Sequence, residues 1–162
     1  MLSSVYSFGS LIILAVVLSS ILNFKDKPLF YLSISVLGVY LLGMLSHGYI
    51  WNSSVSIFGW YLKEIVLNMV IILLVMEKIK YFGHSGIIDK AIITICVISS
   101  FVNLIEYFAR NVFGTHVLMP FYYYFEKTLS ISIVFVLYLT KLMELFRWMR
   151  NKGSSSSPPG DI

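Results

Sequence analysis

Five stretches of this chain are each about as long as a bilayer is thick, and charge hardly interrupts them. An α-helix rises 1.5 Å per residue, so about 20 mostly apolar residues carry it across a hydrocarbon core about 30 Å thick. No water is available there, so a crossing segment has to satisfy its own backbone hydrogen bonds. The first stretch is about 5–24, VYSFGSLIILAVVLSSILNF, uncharged and closed by Lys25, Asp26, Lys27 and Pro28. The second is about 29–51, with one histidine, and the third is about 55–77, with the motif WYLKEIVLNM near its start. The fourth is about 90–110 and the fifth about 121–149. Composition agrees, because 58% of the 162 residues are hydrophobic and 12% charged, against about 45–50% and about 25% in a soluble domain. The expected fold is all-α: a polytopic integral membrane helical bundle of five transmembrane helices, forming one domain over 1–149. Residues 150–162, NKGSSSSPPGDI after Arg150, are expected to be a disordered cytosolic tail.

The net charge is +4, but the basic residues gather at the ends of the apolar runs. They read as topology anchors, and no nucleic-acid partner is expected. Lys25 and Lys27 follow span one, and Asn52-Ser53-Ser54 after span two holds no base. Lys78, Lys80 and Lys90 flank the third link, Arg110 alone borders the fourth, and Arg147, Arg150 and Lys152 stand at the end of span five and in the tail. That alternation places the N-terminus outside and the C-terminus in the cytosol. No base precedes span one, so it reads as an uncleaved anchor rather than a signal peptide. The expected location is a bacterial inner (plasma) membrane. The link over 52–54 is short enough to force spans two and three into a tight antiparallel hairpin.

In this orientation the ionisable groups of four spans share one level, in the outer half. They are His47, Lys63, Glu64, Glu106, Arg110, Glu126 and Lys127, joined by Asn103. A lone charge at the bilayer centre costs about 2.5–3.5 kcal/mol on insertion scales, so grouping is favoured. Lys63, Arg110 and Lys127 balance Glu64, Glu106 and Glu126. Helical spacing supports a shared face. Cys96, Ser99, Asn103, Glu106 and Arg110 recur at intervals of three and four, and Glu106 can pair with Arg110. Ser33, Tyr40, Gly43 and His47 share a face of span two; Trp60, Glu64 and Asn68 do so on span three, and Tyr123, Lys127 and Ser130 on span five. The expectation is a roughly neutral ion-binding or buried polar cluster. Glu64 is expected to face the bundle, and Lys63 to reach toward Glu126 or the surface. The plainer alternative places Arg110, Glu126 and Lys127 in an interfacial belt with Trp51, Trp60, Tyr61 and Tyr107. The inner half is expected to be apolar, with Cys96 a small buried hydrophobe.

Span five, at 29 residues, would extend about 43 Å. Its last turns, with Lys141, Glu144, Arg147, Trp148 and Arg150, are expected to dock on anionic lipid or a cytosolic protein. No metal-ligand spacing, nucleophile elbow or phosphate loop is present, so no catalytic residue, metal or cofactor is expected. The first functional reading is therefore a small non-enzymatic membrane subunit. It would form a homo-oligomer through small residues such as Gly38 and Gly43 and act as a sensor or anchor for a partner, of signalling or defence type. The alternative is an ion- or proton-coupled transporter or oligomeric channel using Glu64 and Glu106. The third is an outer-leaflet lipid-modifying enzyme using His47 and Glu106. The charge pattern predicts that a fluorescent protein fused at Ile162 lights up in the cytosol. A thiol reagent that cannot cross membranes should label Asn52→Cys from outside, and labelling only after permeabilisation would reverse the orientation.

Overall fold

A computed structural model describes residues 2–52, 57–83, 85–112, 114 and 119–154, without the side chains of 2–7, 47–52, 57–58, 119, 120, 123 and 151–154. The described residues form five α-helices: α1 (Leu2–Leu22), α2 (Lys27–Asn52), α3 (Ile57–Phe82), α4 (Ile87–Asn111) and α5 (Met119–Ser154). One helix grows from each apolar stretch, with ends within a few residues of the charge boundaries except for α5. That helix continues through Arg150 to Ser154, into the stretch expected to be tail, and residues 155–162 lie outside the described residues. Lys141, Glu144, Arg147 and Arg150 are all good helix formers, so nothing stops the helix at the membrane edge.

Three helices are long and apolar enough to cross a membrane, over Lys27–Ser46, Ile87–Asn111 and Tyr124–Arg150. Among the described residues, α1 contributes the apolar stretch Phe8–Leu22. Helix α3 carries Lys63 and Glu64 toward its start and Glu77, Lys78 and Lys80 toward its end, which shortens its uninterrupted apolar run.

Successive helices pack side by side, α1 on α2, α2 on α3, α3 on α4 and α4 on α5, and α1 also packs on α5. The bundle is therefore a closed ring. Short connections make each step antiparallel, and an odd number of helices leaves α1 and α5 parallel where the ring closes. The upper end of the bundle holds the α2–α3 and α4–α5 connections; the lower end holds the α1–α2 and α3–α4 connections.

Every helix contributes to the core with residues about one turn apart: Ile12 and Val16, Leu32, Val36 and Val39, Ile71 and Val75, Ile92 and Cys96, Ile133 and Leu137. Such spacing puts each set on one face. The outside is equally apolar. Leu45, Leu73 and Phe121 are 74%, 65% and 75% exposed, while Ser19, Asn23, Ser33, Asp89 and Asn103 are fully buried. A protein surrounded by water shows the reverse. One surrounded by hydrocarbon turns its polar groups inward.

The two lower connections are set by aspartates. Asp26 caps α2, its Oδ1 accepting from the Leu29 amide at 3.2 Å. Asp89, in the first turn of α4, accepts from the Gly86 amide at 2.9 Å. It also takes both carboxylate contacts from Lys78 Nζ, at 2.9 and 2.7 Å. Gly83 supplies the left-handed turn after α3, with φ of 73°. Asp89 is fully buried and Lys78 is 6% exposed, so this ion pair staples α3 to α4 inside the bundle. Breaking such a pair from one side costs about 3–5 kcal/mol, because the other charge is left buried and unpaired. Denaturant unfolding in mixed micelles is predicted to show that loss for Lys78→Met. Lys78→Met combined with Asp89→Leu should recover part of it.

Candidate functional site

Polar side chains from α3, α4 and α5 meet in the upper half of the bundle. The centre is Glu126 on α5. Its Oε1 accepts from Asn103 Nδ2 at 2.7 Å, and the Ser99 hydroxyl bridges both carboxylate oxygens at 3.1 and 3.2 Å. Ser99 accepts in turn from Asn68 Nδ2 of α3 at 2.9 Å. Asn103 also donates to the Ser99 carbonyl at 2.9 Å and accepts from the Tyr122 hydroxyl at 2.7 Å. Asn103 thus uses both amide hydrogens and its oxygen, which is why it can be fully buried.

The Tyr122 ring leads to a second group. It packs edge-on against Tyr61 at 5.8 Å, and Tyr61 packs on Tyr107 at 6.2 Å. Arg110 donates to the Tyr61 hydroxyl at 3.2 Å. Arg110 Nε lies 3.8 Å from Glu106 Oε1, so the expected pairing one turn apart is present as an ion pair too long for a hydrogen bond.

Lys63 and Glu64 form a third group. Their side chains leave α3 about 100° apart, yet they pair with each other at 2.7 Å. Lys63 pairs with Glu64 rather than with Glu126, and its side chain stays partly exposed. Its flexible stem folds back, and its ammonium sits 4.2 Å from the centre of the Trp60 ring. Lys63 and Glu64 line a cavity of about 210 Å³ with Phe8 and Ile12 of α1, Tyr40 of α2 and Ser130 of α5. Lys127 lies against α1, 4.6 Å from the Phe8 ring centre. The one neutral layer read from the sequence is therefore three adjoining groups, because short acidic side chains pair only with what stands beside them. His47 lies in α2, and its side chain is outside the described residues.

The residues expected to dock a partner or lipid lie on the free end of α5. Lys141 pairs with Glu144 at 2.8 Å. Glu144, Arg147, Trp148 and Arg150 are exposed.

The lower half is less apolar than the sequence reading has it. Ser19 and Ser33 share a hydrogen bond at 3.3 Å between α1 and α2. Asn23 donates to Ser19 Oγ at 3.2 Å and to the Leu137 carbonyl of α5 at 3.2 Å. Tyr138 donates to the Ala15 carbonyl at 2.6 Å. The pattern Ser-Ser-x-x-Asn recurs as SSILN over 19–23 and SSFVN over 99–103. In both, the first serine and the asparagine reach neighbouring helices. The second serine bonds back to a carbonyl four residues earlier, Ser20 to Val16 and Ser100 to Cys96, at 2.9 Å each. The repeat is visible in the sequence once asparagine and serine are counted alongside charges. The Lys78–Asp89 pair carried a weaker signal, two opposite charges bracketing a Gly-containing turn.

An apolar layer separates the two polar zones on α2, α3 and α4: Val36 and Val39 lie between Ser33 and Tyr40, Ile71 and Val75 between Asn68 and Lys78, and Ile92 and Cys96 between Asp89 and Ser99; Ile12 and Val16 of α1 and Ile133 and Leu137 of α5 pack into it. Among the described residues, no three His, Cys, Asp or Glu side chains stand close enough to hold a metal ion. The chain matches no family model, no curated protein and no solved structure.

The network makes a coupling measurable. Asn103→Leu takes from Glu126 its shortest donor and leaves the Tyr122 hydroxyl without its acceptor. The expected loss is about 1–3 kcal/mol. A double-mutant cycle with Glu126→Leu is expected to give a coupling of about 0.5–3 kcal/mol; strict additivity would mean that the two residues act independently.

Proposed function

We propose that this chain is a non-enzymatic integral membrane subunit that forms a homo-oligomer and acts as a sensor or anchor for a partner protein, in a signalling or defence setting. In this reading all five helices cross a bacterial inner (plasma) membrane, with the N-terminus outside and the C-terminus in the cytosol. The single bundle over 1–149 presents its upper polar groups as the sensing or interface surface, and the end of α5 faces the cytosol.

The observation that carries this reading is the length of α5. Its 36 residues make a rod about 54 Å long, whereas α2, α3 and α4 have 26, 26 and 25 residues. The surplus is a projecting helix on which Met143, Leu145, Phe146, Trp148 and Met149 are exposed beside Arg147 and Arg150. Exposed large apolar side chains amid basic ones favour contact with a partner or with anionic headgroups.

A transporter or oligomeric channel using Glu64 and Glu106 is the second reading. The buried Glu106 and the half-buried Glu64 support it, since ionisable groups inside a membrane are functional candidates by default. The apolar layer through all five helices weighs against a polar path within one copy. An outer-leaflet lipid-modifying enzyme is the reading with least support.

Purification in mild detergent followed by native mass analysis is the test. The expected result is more than one copy per particle or a co-purifying protein, lost when residues 141–162 are deleted. A lone monomer without a partner would overturn the subunit reading. Ion flux in reconstituted vesicles that disappears in Glu64→Gln and Glu106→Gln would replace it with the second.

A further inference from the structure

Helix α5 carries a second face besides the one that enters the core. Phe125, Thr128, Ser132 and Phe135 follow one another along its outer side at steps of three, four and three, and each is exposed or half-exposed. Leu139, Leu142, Phe146 and Met149 continue the line at steps of four, three, four and three. Alternating steps of three and four are the spacing of helices that supercoil around each other. The Thr128 and Ser132 hydroxyls donate to carbonyls four residues earlier, at 2.8 Å each. Their polar groups are thus spent inside the helix, and two small side chains one turn apart let another helix approach closely. A cavity of about 250 Å³ opens beside the upper end of this line, between Ile105 of α4 and Phe121 and Phe125 of α5. Both Glu106 oxygens are buried away from it, so it is an apolar hollow with room for a side chain of a neighbour.

What covers this face is shown where the bundle ends. Asn23, just past α1, bonds the Leu137 carbonyl, and residues 143–150 are exposed on every side. Below Leu137 the opposite face of α5 changes character. Glu126, Ser130, Ile133 and Leu137 point to the other helices, and the residues that follow them on that face are Lys141, Glu144 and Arg147, beside Trp148. A face that leaves the core for water becomes polar in this way. The outer face does not change: Leu142, Phe146 and Met149 stay apolar, and Phe146 is 65% exposed. Lipid does not cover them on an upright helix. Met149 stands about 18 Å beyond Leu137, whereas the headgroup layer is only about 5–8 Å deep on each side. No Pro or Gly lies between Pro120 and Gly153 to bend the helix down onto the surface. We propose that the outer face of α5 pairs in parallel with the same face of a second copy, through the membrane and beyond it, ending in a short coiled coil over 142–149. A shared membrane holds two copies upright at one height, so identical residues meet. Parallel self-pairing sets each residue near its own copy, and this line holds no charge from Phe125 to Met149, so no like charges are forced together. Arg147, on the other face, stays in water.

This inference rests on the homo-oligomer reading and names its interface. The test is oxidative cross-linking of the full chain in membranes, with one added cysteine at a time. Cys96 is buried, so the unaltered chain serves as the blank. A disulfide needs Cα atoms about 4.4–6.8 Å apart. Phe146→Cys and Met149→Cys are expected to give disulfide-linked dimers, and Glu144→Cys, on the opposite face, at least tenfold fewer. Energy transfer between labelled copies in micelles checks the same face without a cross-link. Phe146→Glu and Met149→Glu should each weaken the dimer at least tenfold, and Glu144→Ala should change it less than twofold. These positions stand clear of the bundle, and an unchanged helical circular dichroism spectrum confirms that each variant is folded. Glu144→Cys cross-linking as fast as Phe146→Cys, or no cross-link at either seam position, overturns the proposal. So does a fluorophore on Met149→Cys that brominated phospholipid quenches in a monomer, which gives the face to the membrane surface. An oligomer by native mass that lacks the α5 cross-links defeats this inference and leaves the subunit reading standing. A lone monomer without a partner defeats both.

Discussion

Hydrocarbon offers no hydrogen bonds, and the placement of the buried polar side chains in this bundle follows from that. A soluble core excludes serine, asparagine and carboxylates; here they are inside because the outside is worse for them. A buried amide can donate only to another helix or to its own backbone, so residues such as Asn23, Asn68 and Asn103 become contacts between helices. The result is a ring in which each helix is hydrogen-bonded to its neighbours toward one end or the other, with close-packed, mostly β-branched residues between.

Helix α5 shows how far this goes. At the upper end it is tied to α4 through Glu126, and at the lower end to α1 through the Asn23 bond to the Leu137 carbonyl. The two ties come from the same short pattern, Ser-Ser-x-x-Asn, on α1 and α4, which run in opposite directions. Helices α1 and α2 form one hairpin and α3 and α4 the other, with the motif on the first helix of one and the second of the other. That reversed order is not what a duplicated hairpin would produce. A shared physical need accounts for it: an asparagine one turn past a serine can brace itself on its own helix while reaching a neighbour.

The two upper carboxylates differ by the same logic. Glu126 faces the serine and asparagine of α4 and finds three contacts. Glu106 lies on α4 itself, seven residues past Ser99, and its neighbours across the groove on α5 are aromatic. Glu106 keeps unused acceptor capacity, whereas the saturated Glu126 holds α4 and α5 together.

Much of this was legible before any coordinates. The length of the apolar runs dictates helices, the clustering of bases at their ends marks the boundaries, and the three–four spacing on α4 put Cys96, Ser99, Asn103 and Glu106 on the buried face where they are found. Those features are local: they depend on the solvent and on the period of a helix. Tertiary structure alone decided which acid met which donor. Lys63 turned to Glu64 and not to Glu126, Lys78 found Asp89 across a turn, and Glu106 was left beside a cavity, because a hydrogen bond is made or lost within about 1 Å. Helical periodicity fixes the face on which a side chain lies. The rotation and depth at which five helices settle against one another determine its distance to a partner.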